Sequence, residues 1–302
     1  MSHQSASVKS IIFALSANLG IAITKTAAAI ITGSGSMLAE SIHSFADCGN
    51  QLLLFMGLKV SKRKPDSKHP LGYGKSIYFW SFIVALMLFS MGGLFSIYEG
   101  IHKIHSTESV NSPLVAIAVL LVSMALEAAS LMGCLKQIKT VRKGESLWRW
   151  VKNTRQSELV VVLGEDVAAL LGLFFALIFI VLASVTGNPV YDAIGSIGIG
   201  ALLVVVSFFL ATKVKGLLIG ESADETVRND IQSFLENRAE IEQVYNLITI
   251  QLGEQIMVAV KVKMANMESA ELLINEINAC EKALRAVFPK VLWVFFEPDT
   301  KV

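Results

Sequence analysis

Six runs of mostly apolar residues dominate the chain, at about 8–31, 37–58, 77–101, 113–135, 159–186 and 190–212. About 20 apolar residues in a helix are enough to cross ~30 Å of hydrocarbon, and only helices and closed barrels satisfy their own backbone there. A chain that is 53% hydrophobic and only 17% charged, with mean hydropathy +0.58, fits that medium rather than water. The runs therefore predict a bundle of six membrane-spanning helices. The links "TGSGS" after the first run and "TGNP" after the fifth suit only tight turns, so each pair is expected to form a helical hairpin.

Charge placement orients the bundle. The 59–76 loop holds Lys59, Lys62, Arg63, Lys64, Lys68 and Lys75, and the 136–156 loop holds Lys136, Lys139, Arg142, Lys143, Arg149, Lys152 and Arg155. The link between the third and fourth runs offers only Lys103. Basic loops stay in the cytoplasm, which puts both termini there too. Lipid headgroups account for the basic runs, so no nucleic-acid partner is expected. "MSHQSASVKS" enters the first run without a small-residue cleavage site and reads as the start of a retained span. With no mitochondrial presequence evident, the expected location is a bacterial inner (cytoplasmic) membrane.

The charge balance changes sign near Gly216. Residues 1–215 carry 18 Lys/Arg against 11 Asp/Glu, and residues 216–302 carry 8 against 14. After the change the pattern is a helix opened by Asp224, the strands "VYNLITIQL" and "IMVAVKVKM" around a "GEQ" turn, a helix starting near Ser269, and the strand "VLWVFFEP". Two domains are expected. Residues 1–215 form the six-helix membrane domain, and 216–302 form a cytoplasmic α+β domain of order α-β-β-α-β, ferredoxin-like in layout. Cys48, Cys134 and Cys280 lie far apart with no CxxC, which fits structural thiols.

The second run carries Glu40, His43 and Asp47, and the fifth carries Glu165 and Asp166. His43 and Asp47, four apart, share a helix face, and Glu40 extends that stripe. Ionisable groups in hydrocarbon are expensive and usually mark an ion pathway. Acids outnumber bases in these runs, so a bound cation or proton resolves the imbalance better than pairing with Lys25 or Asn50 alone. Carboxylates with one imidazole suit a borderline divalent ion such as Zn²⁺. Glu127, in the fourth run, reads as a proton-handling group or as a partner of Lys25.

"GSGSMLAESIHSFAD", "PDSKHPLGYGKSIYFW", "LGEDVAALLGL" and "FFEPD" together resemble the cation diffusion facilitators. The likeness runs over nearly the whole chain and is greatest to the branch that includes the animal mitochondrial zinc exporter. The resemblance implies a homodimeric antiporter that moves a divalent cation, most often Zn²⁺, out of the cytoplasm against protons. It implies no cofactor beyond the transported ion. Carried over, His43 and Asp47 are metal ligands on the second helix and Asp166 is one on the fifth. Where the family commonly has a fifth-helix histidine, four residues before Asp166, this chain has Val162. Glu165 is expected to complete the set, although it stands about 100° around the helix from Asp166, which calls for a distortion at Gly164. Glu40 and water are the other candidates.

Metal and protons compete for these groups, so His43, Asp47 and Glu127 are the residues expected to couple the two fluxes. A set richer in oxygen also opens a second reading, transport of a harder ion such as manganese or iron. In the 59–76 loop Asp66 and His69 remain of an accessory metal site, with Tyr73 where relatives have histidine. Lys75 matches a family lysine of a charge interlock near the dimer interface, with Glu221 as its possible partner. All five histidines precede residue 106, so the C-terminal domain is expected to dimerise without a zinc cluster, Cys280, Glu297 and Asp299 offering at most weak sites. His102 and His105 stand near the outer end of the third run.

Neither an HExxH motif nor a nucleophile elbow is present, so an enzyme is not expected. The reading from another class is a membrane metal sensor or scaffold that moves no ion, which the missing fifth-helix ligand favours.

Overall fold

The computed structural model describes residues 18–104, 111–142, 144–265 and 269–301. The helical part comprises α1 (Asn18–Thr32), α2 (Gly35–Ser61), α3 (Ser76–Ile104), α4 (Pro113–Val141), the short α5 (Leu147–Asn153), α6 (Ser157–Thr186) and α7 (Val190–Ile219). Four of these, α3, α4, α6 and α7, are long and apolar enough to cross a membrane. At 27 residues, α2 is about 40 Å long, and what sets it apart is its cargo of Glu40, His43 and Asp47. α1 is described only from Asn18 onward.

The expected tight turn between α1 and α2 is present. Gly33 adopts φ 64°, left-handed backbone that glycine enters without penalty, and its N–H donates to the Ala29 carbonyl at 2.9 Å. α3 is not uniform. A π-helical stretch at Leu88–Leu94 contains Gly92 and Gly93. α3 and α7 then meet backbone to backbone. A methyl added at Gly200 would fall 2.7 Å from the Gly93 carbonyl oxygen, and one at Gly100 would fall 2.7 Å from that of Ala193. Small residues at such crossings let membrane helices approach closely.

The chain divides into two compact units. The first comprises residues 1–56, 80–145 and 158–213, and the second comprises residues 57–79, 146–157 and 214–302. In the second unit, α8 (Glu225–Glu236) is capped by the Asp224 carboxylate, which accepts the Thr226 N–H. β1 (Ile241–Leu252) and β2 (Gln255–Met264) form an antiparallel hairpin, α9 (Ala270–Val287) crosses over, and β3 (Val291–Pro298) pairs parallel to β2. A parallel neighbour requires such a crossover, which leaves β2 central in the order β1-β2-β3. The core joins Ile231 and Leu235 of α8, Val258, Val260 and Val262 of β2, and Cys280 and Leu284 of α9. Ser269 caps α9 by accepting the Leu272 N–H, as its position in the sequence predicts.

The three cysteines are free and buried. Burial pushes the Cys280 thiol up to about 11, which keeps it protonated and inert.

Candidate functional site

All the acidic residues singled out in the apolar runs lie in the first unit. Asp47, Glu127, Glu165 and Asp166 line one cavity of about 50 Å³, together with Asn18, Ile21, Ser44, Gln51, Ser130, Val162 and Ala169. Four helices contribute: α1 through Asn18 and Ile21, α2 through its Asp47 face, α4 through Glu127 and Ser130, and α6 through the remainder. The space holds at least one water and leaves room beside it.

The lining carboxylates are tied down unevenly. Glu165 accepts the Asn50 amide N–H at 2.6 Å, and Asp166 Oδ1 accepts the Ser130 hydroxyl at 3.3 Å. Asp166 Oδ2 and Asp47 Oδ1 are buried with no hydrogen-bond partner. A buried, unpaired carboxylate oxygen is costly, and a bound cation or proton removes that cost.

Glu165 and Asp166 reach the cavity from an unbroken helix, without the distortion expected at Gly164. Gly164 serves packing instead, since a methyl there would fall 3.0 Å from Leu210 of α7.

His43 is fully buried, with Nε2 3.6 Å from Asp47 Oδ2, but it is not among the residues lining the cavity. Its Nδ1 faces the π-helical stretch of α3, 3.8 Å from where a methyl on Gly92 would stand. Neither ring nitrogen has a hydrogen-bond partner. Among the described residues, no three His, Cys, Asp or Glu side chains converge closely enough to hold a metal ion.

Glu40 is occupied. Its Oε2 lies 3.1 Å from Lys25 Nζ, which also donates to Ser44 Oγ at 2.8 Å. Of the two candidate partners for Lys25, the acid on α2 holds it, and Glu127 lines the cavity.

Asp66 is also committed. It accepts the Lys68 and His69 N–H groups and the Tyr73 hydroxyl, the last at 2.6 Å, with His69 Nδ1 3.5 Å away. The Tyr73 hydroxyl, followed by the His69 N–H, holds the Asp66 carboxyl below its ordinary value. Lys75 Nζ donates to the Leu218 carbonyl at 3.4 Å, while Glu221 pairs with Arg155 at 2.9 Å. In the sequence Arg155 is only one more charge of a basic loop. In the C-terminal domain Glu297 and Asp299 both pair with Lys261, and Cys280 is a core residue. His102 is exposed beside Tyr98, and His105 lies outside the described residues.

Residues 11–219 match the model of the cation efflux transmembrane domain, which is more than half of the chain. The chain belongs to the cation diffusion facilitator family. This family consists of metal-cation transporters and is not an enzyme class, and a cation diffusion facilitator is a multi-pass membrane protein. The chain is 36% identical over 231 residues to the proton-coupled zinc antiporter SLC30A9, mitochondrial, of Xenopus laevis, which covers 76% of this chain and 41% of that relative. It is 33% identical over 224 residues to metal tolerance protein C4 of Arabidopsis thaliana, covering 74% and 49%. Magnetosome protein MamB of a Magnetospira strain is 25% identical over 271 residues, covering 89% of this chain and 85% of its own. This cation diffusion facilitator thus spans less than half of the frog and plant relatives' length.

Proposed function

We propose that this chain is a proton-coupled divalent-cation antiporter that exports metal, Zn²⁺ first, from the cytoplasm. The observation that carries the reading is the cavity in which Asp47 and Asp166 each present a buried oxygen without a partner. In this reading Asp47 and Asp166 bind the ion, Glu165 supports it, and His43 joins from beside Asp47 once the helices close around the cargo. The carboxylates ring a space instead of meeting at a point, so the ion keeps part of its water shell in the conformation described. Metal needs deprotonated carboxylates and neutral imidazole, so each ion bound displaces protons, and His43, Asp47 and Glu127 are the groups to carry them.

In the proposed organisation six helices span the membrane, α1 and α2 completing the set with the four apolar ones. Both termini are cytoplasmic, the basic loops lying inside. Residues 216–302 form the homodimerising domain, for which the open sheet face around Ile248 and Phe295, each about half exposed, is available. The proposed location is a bacterial inner membrane.

The lining offers carboxylate, hydroxyl and amide groups and, among the described residues, neither imidazole nor thiol, which favours a second reading, transport of a harder cation such as manganese or iron. The test is flux in proteoliposomes with an imposed pH gradient, offering Zn²⁺, Mn²⁺ and Fe²⁺. Zn²⁺ movement driven by the gradient and lost in Asp47→Ala supports the antiporter. Movement of only the harder ions selects the second reading. No movement of any ion by folded protein overturns transport in favour of a sensor or scaffold.

A further inference from the structure

The polar layer beyond the cavity is a feature the transport reading does not use. Ile21, Ser44 and Ala169 line the cavity on α1, α2 and α6. One turn further toward the 33–34 turn stand Lys25, Glu40 and Gly172, with Glu40 against both of the others. Lys25 and Glu40 are both 0% exposed and 3.1 Å apart. Glu40 Oε1 is buried without a partner and lies against α6 so closely that a methyl on Gly172 would fall 2.5 Å from it. At the same level Thr26 Oγ1 and Ser41 Oγ lie 2.6 Å apart.

This layer comes next along the three helices, on the side of the cavity away from Gln51. An ion that leaves in that direction meets Glu40 next. Replacing a buried ion pair with apolar residues of similar size is often neutral or stabilising, so stability alone is a weak reason to keep a lysine and a glutamate here. Oε1 has no partner, and Oε2 is held by an ammonium that already donates to Ser44, a residue of the cavity lining. Lysine carries its charge on a flexible four-carbon stem, which suits a move between partners.

We propose that Glu40 is the relay carboxylate on the exit route and that Lys25 is the resident cation that holds its place until the transported ion arrives. The ion passes from the Asp47–Asp166 cavity to Glu40 as Lys25 turns to the carboxylates the ion has left, so Glu40 is never without a cation. Resting on the divalent-cation reading, this inference adds to it a step after binding.

The test uses the full chain with Lys25→Met and Glu40→Leu together, which removes the pair while keeping its bulk. Equilibrium Zn²⁺ binding in detergent and pH-driven Zn²⁺ flux in vesicles are compared with the parent. Binding is expected to stay within about threefold, because the cavity ligands are untouched. Flux is expected to fall roughly tenfold or more, because an apolar layer offers the ion nothing in place of water. Gly172→Ala, which pushes Glu40 aside while keeping every charge, is expected to slow flux in the same sense and serves if the double variant fails to fold. Flux near the parent's in either folded variant overturns the relay and leaves the pair as packing. Joint loss of binding and flux overturns it by placing the pair in the binding site. A parent protein that neither binds nor moves Zn²⁺, Mn²⁺ or Fe²⁺ strikes the divalent-cation reading, and the relay falls with it.

Discussion

Two parts of the first unit bury carboxylates and treat them in opposite ways. At the end of the bundle near the 33–34 turn, Asp192 at the start of α7 accepts the Ser34 hydroxyl at 2.7 Å and the Gly35 and Ser36 N–H groups at 2.6 and 3.2 Å. It thereby caps α2, and Lys103, which also donates to the Gly33 carbonyl, lies 3.8 Å away. In the cavity, Asp47 and Asp166 each keep an oxygen with no partner. A carboxylate whose acceptors are filled fixes structure, whereas one left open has work to do on something not covalently part of the chain. The donors around each carboxylate, more than burial or sequence position, tell the two apart.

The largest effect expected of that contrast is at the cavity. Asp166→Asn should abolish metal flux while leaving the thermal midpoint unchanged or higher, since it removes a charge the fold does not satisfy. A lower midpoint in denaturation scans would show that Asp166 is structural after all. At the junction the pattern should reverse. Asp192→Ala should cost roughly 3–5 kcal/mol of stability, the usual toll for stripping a buried charge network of one partner. The survivors should bind metal with unchanged affinity in titration, and weakened binding would join the two regions into one. Ser34→Ala removes a single donor to Asp192 and the cap on the Met37 N–H, and about 1 kcal/mol is expected in the same assay.

The smallest effect concerns Asp66, which resembles Asp192 in miniature because its acceptors are spent within its own loop. A carboxyl held below its ordinary value contributes stability that is fully present above the unfolded value, near 3.9, and is lost as pH falls through the lower folded value. Tyr73→Phe removes the strongest of the bonds that hold it down, so NMR titration should find the Asp66 pKa moved up toward the ordinary value. No movement would deny that the loop uses this carboxylate structurally and reopen it as a metal ligand.

The sequence made the apolar helices legible because hydropathy reports the medium directly. The expected runs at 113–135 and 190–212 begin where α4 and α7 begin. Both helices then continue to Val141 and Ile219, because backbone hydrogen bonding does not stop where apolar side chains do. The acids of the cavity were legible for the same reason, each being an anomaly in its run. Which partners hold the acids elsewhere was not. Lys25 with Glu40, Arg155 with Glu221 and Asp192 with the α2 N-terminus join residues between 15 and 157 positions apart, and no local spacing encodes such partners. The short α5 was also missed inside a basic loop, although Ser146, which accepts the Arg149 N–H as its cap, was a readable signal.

The backbone contact between α3 and α7 has a consequence for natural variation in this chain. At Gly93, Gly100 and Gly200 even one methyl group falls within 2.6–2.7 Å of the facing helix. Glycine to alanine, elsewhere in a helix a gain, becomes at these three positions an insertion that prises two spans apart, at about 1–3 kcal/mol each. Among variants found in a population, the one that changes least on paper would here be the first to suspect.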